Sequence, residues 1–319
     1  MNKFSKKLFL FLIIITLLAY STDYIVSSGL RNSNTNTYQA WNDIYMSNIK
    51  SKVLIFGGSR AGNQYNPYIL DSIDKINSYN LGSRGQQIDY QIIRYNTLRR
   101  FNPKPNYIIQ NIDFLTLGIC NYQYGRVQFL PFVSDDSLMS VIGKVQNINW
   151  FDKKIPFIRY FGFHTTISDG FKFFFRLKKL SADNSFKGFY NENNPWNGEE
   201  LNKMDHIYCE KDSKAIRLFD AYLEQCRKEN ITVIFVSAPV YMKAMQKIVG
   251  YKKLMELYEK FAKKYSITIL DYTKDSICMD TCYFMNGTHL NKKGADMFSK
   301  KLANDIKSLN IFKSNSIYK

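Results

Sequence analysis

Apolar residues follow two alternating patterns along most of this chain. Short uninterrupted apolar runs, such as Val53–Phe56, predict buried strands, and longer segments with apolar residues three or four positions apart predict helices. One such helix, at residues 87–101, ends before Pro103, because proline cannot continue a helix. The predicted strands lie at residues 53–56, 76–81, 107–109, 231–236 and 267–270, and the predicted helices at residues 67–74, 87–101, 213–230, 242–265 and 292–309. This alternation predicts an α/β fold, in which helices cover both faces of a parallel sheet.

The amino-terminal segment has the pattern of a membrane span. Residues 8–20 are almost entirely apolar, three lysines precede them, and the stretch can continue to Leu30 with Asp23 as its one charge. A span needs about 20 residues, and lysines on the near side orient the amino end toward the cytoplasm. No small-residue cleavage site is evident, so we interpret residues 1–30 as an uncleaved signal anchor, with a cleaved signal peptide as the second interpretation. In either case, the rest of the chain is expected outside the cytoplasmic membrane.

A segment rich in aromatic residues interrupts the alternation at about residues 118–212. It predicts a mainly helical insertion with a small core of its own. It could instead cap a site, lie on a membrane through aromatic and basic residues, or form a groove for sugar rings. The predicted organisation is a membrane helix (1–30), a polar tether (31–50), the first part of the α/β domain (51–117), the insertion (118–212), the second part of the α/β domain (213–310) and a C-terminal tail (311–319).

Composition limits which binding partners and which cellular compartment can be expected for this chain. The 319 residues carry a formal net charge of +17, but the lysines and arginines are spread along the chain without a dense basic block. We therefore predict a basic surface and no nucleic-acid partner. Cys278 and Cys282 are close enough to pair in an oxidising compartment, and the odd total of five cysteines leaves at least one thiol free. No cysteine or histidine cluster has the spacing of a zinc site, so neither a metal nor another cofactor is predicted.

The candidate chemistry lies at Ser59 and His289. Ser59 follows the first strand through two glycines, which places its hydroxyl at the carboxyl end of the sheet, where open α/β folds bind their ligands. His289 lies in a loop before the last helix, which is expected to emerge from the same sheet edge. A serine hydroxyl needs a base to take its proton, so the pair predicts a nucleophile and its general base. The other histidines, His164 and His206, lie in the insertion and are weaker candidates.

Acyl transfer also requires hydrogen-bond donors for the oxyanion that develops at the reacting carbonyl. Gly85, in the turn after the second strand, can offer its backbone amide, and Asn111, after the third strand, can offer its side-chain amide. Turn geometry alone would explain Gly85, and strand-end capping would explain Asn111. Because three successive strand ends each carry a fitting residue, we predict that Gly85, Asn111 and the amide of Ser59 hold the oxyanion.

In these residues the chain resembles the SGNH hydrolase superfamily, whose sequence blocks are centred on Ser, Gly, Asn and His. The blocks are similar to Phe56-Gly57-Gly58-Ser59-Arg60-Ala61, Asn80-Leu81-Gly82-Ser83-Arg84-Gly85, Gln110-Asn111-Ile112-Asp113 and Asn286-Gly287-Thr288-His289. With Tyr65-Asn66-Pro67, they resemble membrane-anchored bacterial SGNH proteins associated with acylation of surface polysaccharides. The resemblance covers about residues 51–115 and 213–310. It implies a flavodoxin-like fold and an acyl-enzyme formed on Ser59.

One position departs from that pattern. The family usually has aspartate three residues before the histidine, where this chain has Asn286. An asparagine cannot supply the negative charge that stabilises an imidazolium, and the same change in serine proteases lowers kcat by about 10⁴-fold. Three interpretations remain open: catalysis by a Ser–His dyad, loss of catalysis in favour of a binding role, or deamidation of the Asn286-Gly287 dipeptide.

The sequence thus predicts a single-pass protein of a bacterial cytoplasmic membrane with an extracytoplasmic O-acyltransferase or acetylesterase domain. Its substrate would be a cell-envelope polysaccharide, and the resemblance implies a separate multi-spanning membrane protein that delivers the acyl group. The alternative is a catalytically silent SGNH-like binding or assembly factor for such a polysaccharide, which Asn286 favours. Nucleotide binding around Ser59 is not supported, because the turn lacks both the phosphate-loop lysine and the dinucleotide glycine spacing.

Overall fold

The structure is a computed structural model that describes residues 2–85, 87–118, 125–177, 185–190 and 192–312. The chain divides into two compact units. The helical unit comprises Met1–Asn42 and Gln123–Asp183, and the sheet unit comprises Asp43–Tyr122 and Asn184–Lys319. The segment predicted as one insertion therefore belongs to both units, since its part from residue 184 onward lies in the sheet unit.

Helices and strands are named in chain order. The α-helices of the described residues are α1 (Lys3–Arg31), α2 (Gln39–Tyr45), α3 (Ser59–Gln64), α4 (Pro67–Asp74), α5 (Ile88–Phe101), α6 (Asp136–Val145), α7 (Trp150–Lys154), α8 (His164–Phe174), α9 (Ser213–Lys228), α10 (Met242–Met245), α11 (Tyr251–Tyr265) and α12 (Lys292–Ser308). The strands are β1 (Val53–Phe56), β2 (Ser78–Asn80), β3 (Tyr107–Asn111), β4 (Ser185–Phe186), β5 (Phe189–Tyr190), β6 (Ile207–Tyr208), β7 (Thr232–Ser237), β8 (Ile248–Val249), β9 (Thr268–Asp271), β10 (Phe284–Asn286) and β11 (His289–Leu290).

The sheet unit is built on five parallel strands in the order β2-β1-β3-β7-β9. All residues of β1 and β3 are buried, as the continuous apolar sequence of β1 predicts for a strand covered on both faces. Helices α3, α4 and α12 pack together as one group, and α5, α9 and α11 form a second group. The order of the strands is the flavodoxin-like one. The predicted α/β fold with a parallel sheet is confirmed.

The reversal of strand order between β1 and β3 determines where a site can form. The chain leaves β1 toward β2 on one side and later returns to β3 on the other side. In such sheets the loops after the two central strands diverge and leave a crevice at their carboxyl ends. Ser59 follows β1 and Asn111 ends β3, so both residues lie at this edge.

In the helical unit, α1 packs along α8 and against a 3-10 helix at Arg126–Phe132. Among the described residues, α1 is the one helix that is long and apolar enough to span a membrane. The segment predicted as a polar tether includes α2, whose Trp41 indole donates a hydrogen bond to Gln128 at 3.0 Å. Part of that segment is therefore folded into the helical unit, which its mostly polar sequence did not indicate.

Gly57 allows the chain to turn from β1 into α3. Its φ of +154° is one that residues with a side chain rarely adopt. A Cβ atom at this position would lie 2.6 Å from the Cβ of Ala61 and 2.8 Å from the Cβ of Asn111. Glycine is therefore required for Ser59 to begin a helix this close to the end of β3.

We expect Gly57→Ala to lower the free energy of unfolding by about 1–3 kcal/mol, because the added methyl group would displace Ala61 or Asn111 from a packed position. Urea unfolding of the detergent-solubilised protein, followed by circular dichroism, measures this change. Gly125→Ala is the control, since the nearest atom to a Cβ at Gly125 is 4.0 Å away and its φ is −57°. An equal loss of stability in both variants would contradict crowding at Gly57.

Candidate active site

The structure brings Ser59 and His289 into direct contact. α3 begins at Ser59, immediately after the glycine turn that ends β1. His289 lies on β11, which forms a two-stranded antiparallel hairpin with β10. Its Nε2 lies 2.8 Å from Oγ of Ser59. The predicted pair, 230 positions apart in the sequence, is thus within the distance required for proton transfer.

Two polar side chains hold the histidine loop in place. Asn291 caps α12 by accepting a hydrogen bond from the backbone N–H of Gly294 at 3.0 Å, and its amide nitrogen donates to backbone oxygens at the start of the hairpin. Gln64, the last residue of α3, donates through Nε2 to the backbone oxygen of Thr288 at 3.2 Å. Because Gln64 and Ser59 belong to the same short helix, this bond ties the serine to the histidine loop.

Asn286 determines which nitrogen of His289 carries the proton. Its Oδ1 accepts hydrogen bonds from the backbone N–H groups of Thr288 and His289, both at 3.0 Å. Backbone N–H groups can only donate, so the atom of Asn286 that faces them is the oxygen. The same Oδ1 lies 3.0 Å from Nδ1 of His289, which therefore donates as Nδ1–H. Nε2 is then unprotonated and can accept the proton of Ser59.

This geometry separates two functions that an aspartate would combine. An aspartate at position 286 would orient the imidazole and would also stabilise the imidazolium that forms during catalysis. Asn286 retains the orienting function, because the turn directs its oxygen toward Nδ1. It lacks the negative charge. The large loss in the serine-protease example is attributed to the wrong tautomer, which the turn at Asn286 avoids.

The surroundings of His289 favour the neutral ring. Desolvation by the protein atoms around the imidazole lowers its pKa to about 4, and the positive charges of Arg60 and Arg84 add to the decrease. His289 is therefore a neutral base at pH 7. The same surroundings make the imidazolium costly to form.

Arg60, the residue after the serine, carries a buried positive charge. Its side chain is 2% exposed, its Nη2 donates to the backbone oxygens of Ala238 and Pro239, and its guanidinium lies over the ring of Phe114 at 5.4 Å. Its Nε and Nη1 have no hydrogen-bond partner within the described part of the chain. The sequence motif contained Arg60, but its effect on the histidine depends on its burial and could not be predicted.

A cavity of about 500 Å³ opens in front of Ser59 and His289. The ion pair between Arg84 and Glu192 forms part of its wall, and the Arg84 guanidinium lies 5.5 Å from the centre of the Tyr190 ring. The volume lies within the range of small-molecule sites. The lining residues include Ser59, His289, Asn286, Gly85, Asn63, Arg60, Arg84 and Glu192.

The two predicted oxyanion residues are placed differently. Gly85 has a φ of +65° and lines the cavity. Asn111 is fully buried beneath it: its Nδ2 donates to Oδ2 of Asp113 at 2.9 Å, and its Oδ1 accepts from the Tyr65 hydroxyl at 2.7 Å. One hydrogen of the Asn111 amide is thereby committed to Asp113. The oxyanion roles of Gly85 and Asn111 stay predictions.

Asn63 is a lining residue that sequence reasoning missed. It lies four positions after Ser59 on α3, and its side chain is 3% exposed. Its Oδ1 has no hydrogen-bond partner among the described residues. A polar residue one helical turn after the nucleophile shares its face of the helix, and this spacing is the signal that could have revealed it.

The described residues contain no group of His, Cys, Asp or Glu side chains that could hold a metal ion. Cys209, Cys226, Cys278 and Cys282 are free thiols, and Cys120 lies outside the described residues. The pairing of Cys278 with Cys282 that their spacing allows is therefore not formed in this structure.

No protein-family model and no curated protein matches this chain. Solved structures that match include a protein from Streptococcus pneumonia, with 11% sequence identity, coverage of 97% of this chain and 99% of that chain, and a TM-score of 0.41. A GDSL-like lipase from Bacteroides thetaiotaomicron matches with 10% identity, coverage of 86% and 100%, and a TM-score of 0.40. An acetyl xylan esterase matches with 11% identity, coverage of 81% and 98%, and a TM-score of 0.37. At these identities and TM-scores, none of the three assigns a function to this chain.

We expect Asn286→Asp to raise the pKa of His289 above its native value of about 4, because the added carboxylate stabilises the imidazolium. Protonated His289 cannot accept the serine proton, so the acid limb of the pH profile of kcat/KM should move to higher pH. The plateau should rise by at most about tenfold for each unit of pKa gained, because the imidazolium is only partly formed in the transition state. Hydrolysis of 4-nitrophenyl acetate across the pH range and NMR titration of the imidazole measure both effects.

Asn194→Asp is the matched control, since it adds the same charge to the cavity lining without a hydrogen bond to His289. We expect a smaller shift of the acid limb of the pH profile in the Asn194→Asp variant than in Asn286→Asp. If both variants move the acid limb equally, or if Asn286→Asp leaves it in place, the contact between Asn286 and Nδ1 does not control the base.

Proposed function

We propose that this chain is a membrane-anchored serine O-acyltransferase or acetylesterase of the SGNH type that acts on a cell-envelope polysaccharide. The observation that carries the proposal is the 2.8 Å contact between Ser59 Oγ and His289 Nε2, with Asn286 directing the proton to Nδ1. An unprotonated Nε2 against a serine hydroxyl is the arrangement that nucleophilic catalysis requires. The sequence blocks around Ser59 and His289 resemble the same family.

The reaction would proceed in two steps. Ser59 Oγ attacks the acyl carbonyl while its proton moves to His289 Nε2, and the oxyanion is held by the backbone amides of Ser59 and Gly85. The leaving alcohol takes the proton from His289, which completes the acyl-enzyme ester. In the second step, His289 removes a proton from water or a sugar hydroxyl, which attacks the ester; His289 then gives this proton to Oγ of the departing Ser59, and both residues return to their starting forms. Water as acceptor gives an esterase, and a sugar hydroxyl gives a transferase.

The low pKa of His289 keeps a neutral base available at pH 7, but it makes the first half of each proton transfer costly, because His289 must become an imidazolium when it takes the proton. A neutral base is available at neutral pH, but the imidazolium lacks a carboxylate partner. A high-energy imidazolium is a stronger acid and returns its proton readily to the leaving alcohol. An acyl donor with a reactive carbonyl suits such a site, because it needs less activation of Ser59; delivery of the acyl group by a separate membrane protein is part of the proposal that rests on the resemblance alone.

Membrane anchoring by α1 forms part of the proposal. The first turns of this helix expose an apolar surface, whereas Val26 and Leu30 near its end are fully buried in the helical unit. A helix whose last turns belong to a folded core favours an anchor that is retained over a signal that is removed. The lysines before the span place the sheet unit outside the cytoplasm.

A catalytically silent binding or assembly factor is the second candidate function. It is favoured by the missing carboxylate at position 286 and by the charge of Arg60 near the histidine, which has no ion-pair partner in the described part of the chain. The cavity would then bind a polysaccharide segment without reaction. Reactivity of Ser59 separates the two candidates.

We expect a fluorophosphonate probe to label Ser59 of the full-length protein in detergent, because the probe reports a serine activated by a base. Peptide mass spectrometry locates the label. Ser59→Ala should abolish labelling, and Ser72→Ala, which removes an exposed serine hydroxyl elsewhere in the sheet unit, should leave it unchanged.

Labelling of Asn286→Asp but not of the native protein would identify a silenced site and support the binding function. With a labelled native protein, 4-nitrophenyl acetate and an oligosaccharide acceptor distinguish the two reactions. Acetylated oligosaccharide indicates transfer, and acetate alone indicates hydrolysis.

A further inference from the structure

α1 has two halves with different environments. Its apolar residues from Phe4 to Leu18 are exposed, and no charged residue occurs between Lys7 and Asp23. Beyond that point the helix is packed against the helical unit. A Cβ at Gly29 would overlap the backbone of Gly170 on α8, so the two helices approach as closely as their backbones allow. Only the first half is free to contact lipid.

The boundary between the halves is formed by Asp23, the one charge that the sequence places within the apolar segment. Its carboxylate forms an ion pair with Arg159 at 2.7 Å and accepts the backbone N–H of Phe157 at 2.9 Å. Ser27, one turn further, bonds to the Tyr160 hydroxyl at 2.8 Å and accepts from Arg159 at 3.0 Å. These bonds hold residues 155–160 at the level where the exposed half of α1 ends.

The end of α8 places a second segment, residues 175–177, at the same height along α1 as residues 155–160. Gly170 lies against Val26 and Gly29, and Phe174 makes an edge-on contact with Tyr24, with 6.1 Å between ring centres. At the other end of α8, Thr166 hydrogen-bonds to Tyr38, which follows α1, so the two helices are antiparallel. The chain that follows Phe174 continues toward the exposed apolar half.

Both segments present apolar side chains to solvent at this level. Ile155, Ile158, Phe175 and Leu177 are between 39% and 76% exposed, and we call these four residues the apolar rim. Lys154 and Arg176, each next to a rim residue, are also exposed. Apolar side chains flanked by cations are the composition of surfaces that lie in the headgroup region of anionic membranes.

We infer that the apolar rim inserts into the outer leaflet of the bilayer beside α1, with Lys154 and Arg176 on anionic lipid headgroups. The uncharged stretch between Lys7 and Asp23 is about 23 Å long, and the long side chains of Lys6 and Lys7 can reach back to the headgroups, so the helix crosses the hydrocarbon of about 30 Å from the region of these lysines to the level of Asp23. The rim is attached at that residue. The inference rests on α1 as a membrane anchor, as proposed above, and is independent of the chemistry at Ser59.

The experiment uses the full-length protein in vesicles of phosphatidylcholine and phosphatidylglycerol, with p-benzoylphenylalanine in place of single residues. The photoreactive group is placed at Phe175 and Leu177 in the rim and at Phe11 in the span. Thr165 is the control, because it is exposed at the opposite end of α8, about 15 Å further from the membrane along the helix. Illumination and mass spectrometry identify lipid adducts.

We expect lipid adducts at positions 11, 175 and 177 and no adduct at position 165. An adduct at position 11 without adducts at 175 and 177 would overturn the rim and leave the anchor intact. Absence of an adduct at position 11 would overturn the anchor itself, and the rim with it. In native membranes, an adduct of positions 175 and 177 with a protein in place of lipid would identify a different occupant and overturn the inference.

The attraction of Lys154 and Arg176 to anionic headgroups is tested separately with the double variant Lys154→Glu and Arg176→Glu. Adduct yield at position 175 should fall in vesicles that contain phosphatidylglycerol and should change little in phosphatidylcholine alone, since headgroup attraction requires anionic lipid. Equal yields from the native and variant proteins in both vesicle types would overturn the role of the two cations.

Discussion

The candidate chemistry depends on one oxygen atom. Oδ1 of Asn286 accepts two backbone N–H groups of its own turn, which fixes its identity and direction, and it thereby makes Nδ1 of His289 a donor. Every later step requires this assignment, because only an unprotonated Nε2 can take the proton of Ser59. A turn of four residues therefore performs the orienting part of what a catalytic aspartate does. The electrostatic part is absent, and nothing in the turn replaces it.

The charges around the histidine act in the same direction as the missing carboxylate. Arg60 is buried without an ion-pair partner among the described residues, and Arg84 lies in the cavity wall beside Glu192. Desolvation is the main cause of the low pKa of His289, and both charges add to it, so the neutral ring is the stable form. Such a site has a base available over a wide pH range, but the base is weak, so it reacts most easily with acyl donors whose carbonyl is reactive enough to need little activation of Ser59. Substrate choice would then follow from electrostatics as well as from the shape of the cavity.

The helical unit shows how a single charge can organise a segment that is otherwise uncharged and mostly apolar. Asp23 and Ser27 are satisfied by Arg159, Tyr160 and a backbone N–H, so the polar groups of α1 lie where the helix meets folded protein. A buried carboxylate without such partners would be costly. The bonds therefore define both the end of the exposed stretch and the position of the surrounding aromatic segments, which a hydropathy pattern cannot do.

From the sequence alone, the parallel α/β fold, the position of Ser59 after β1 and the pairing of Ser59 with His289 could be predicted. These features follow from apolar periodicity and from the rule that ligands bind at the carboxyl ends of parallel strands. Tertiary structure decided the direction of the Asn286 oxygen, the burial of Arg60 and the hydrogen bond from Asn111 to Asp113. It also decided that Oδ1 of Asn63 has no hydrogen-bond partner among the described residues. The folded part of the 31–50 segment and the antiparallel packing of α1 on α8 likewise could not be predicted. Periodicity reports which face of an element is buried, whereas hydrogen-bond direction and helix pairing are decided by residues far apart in the chain.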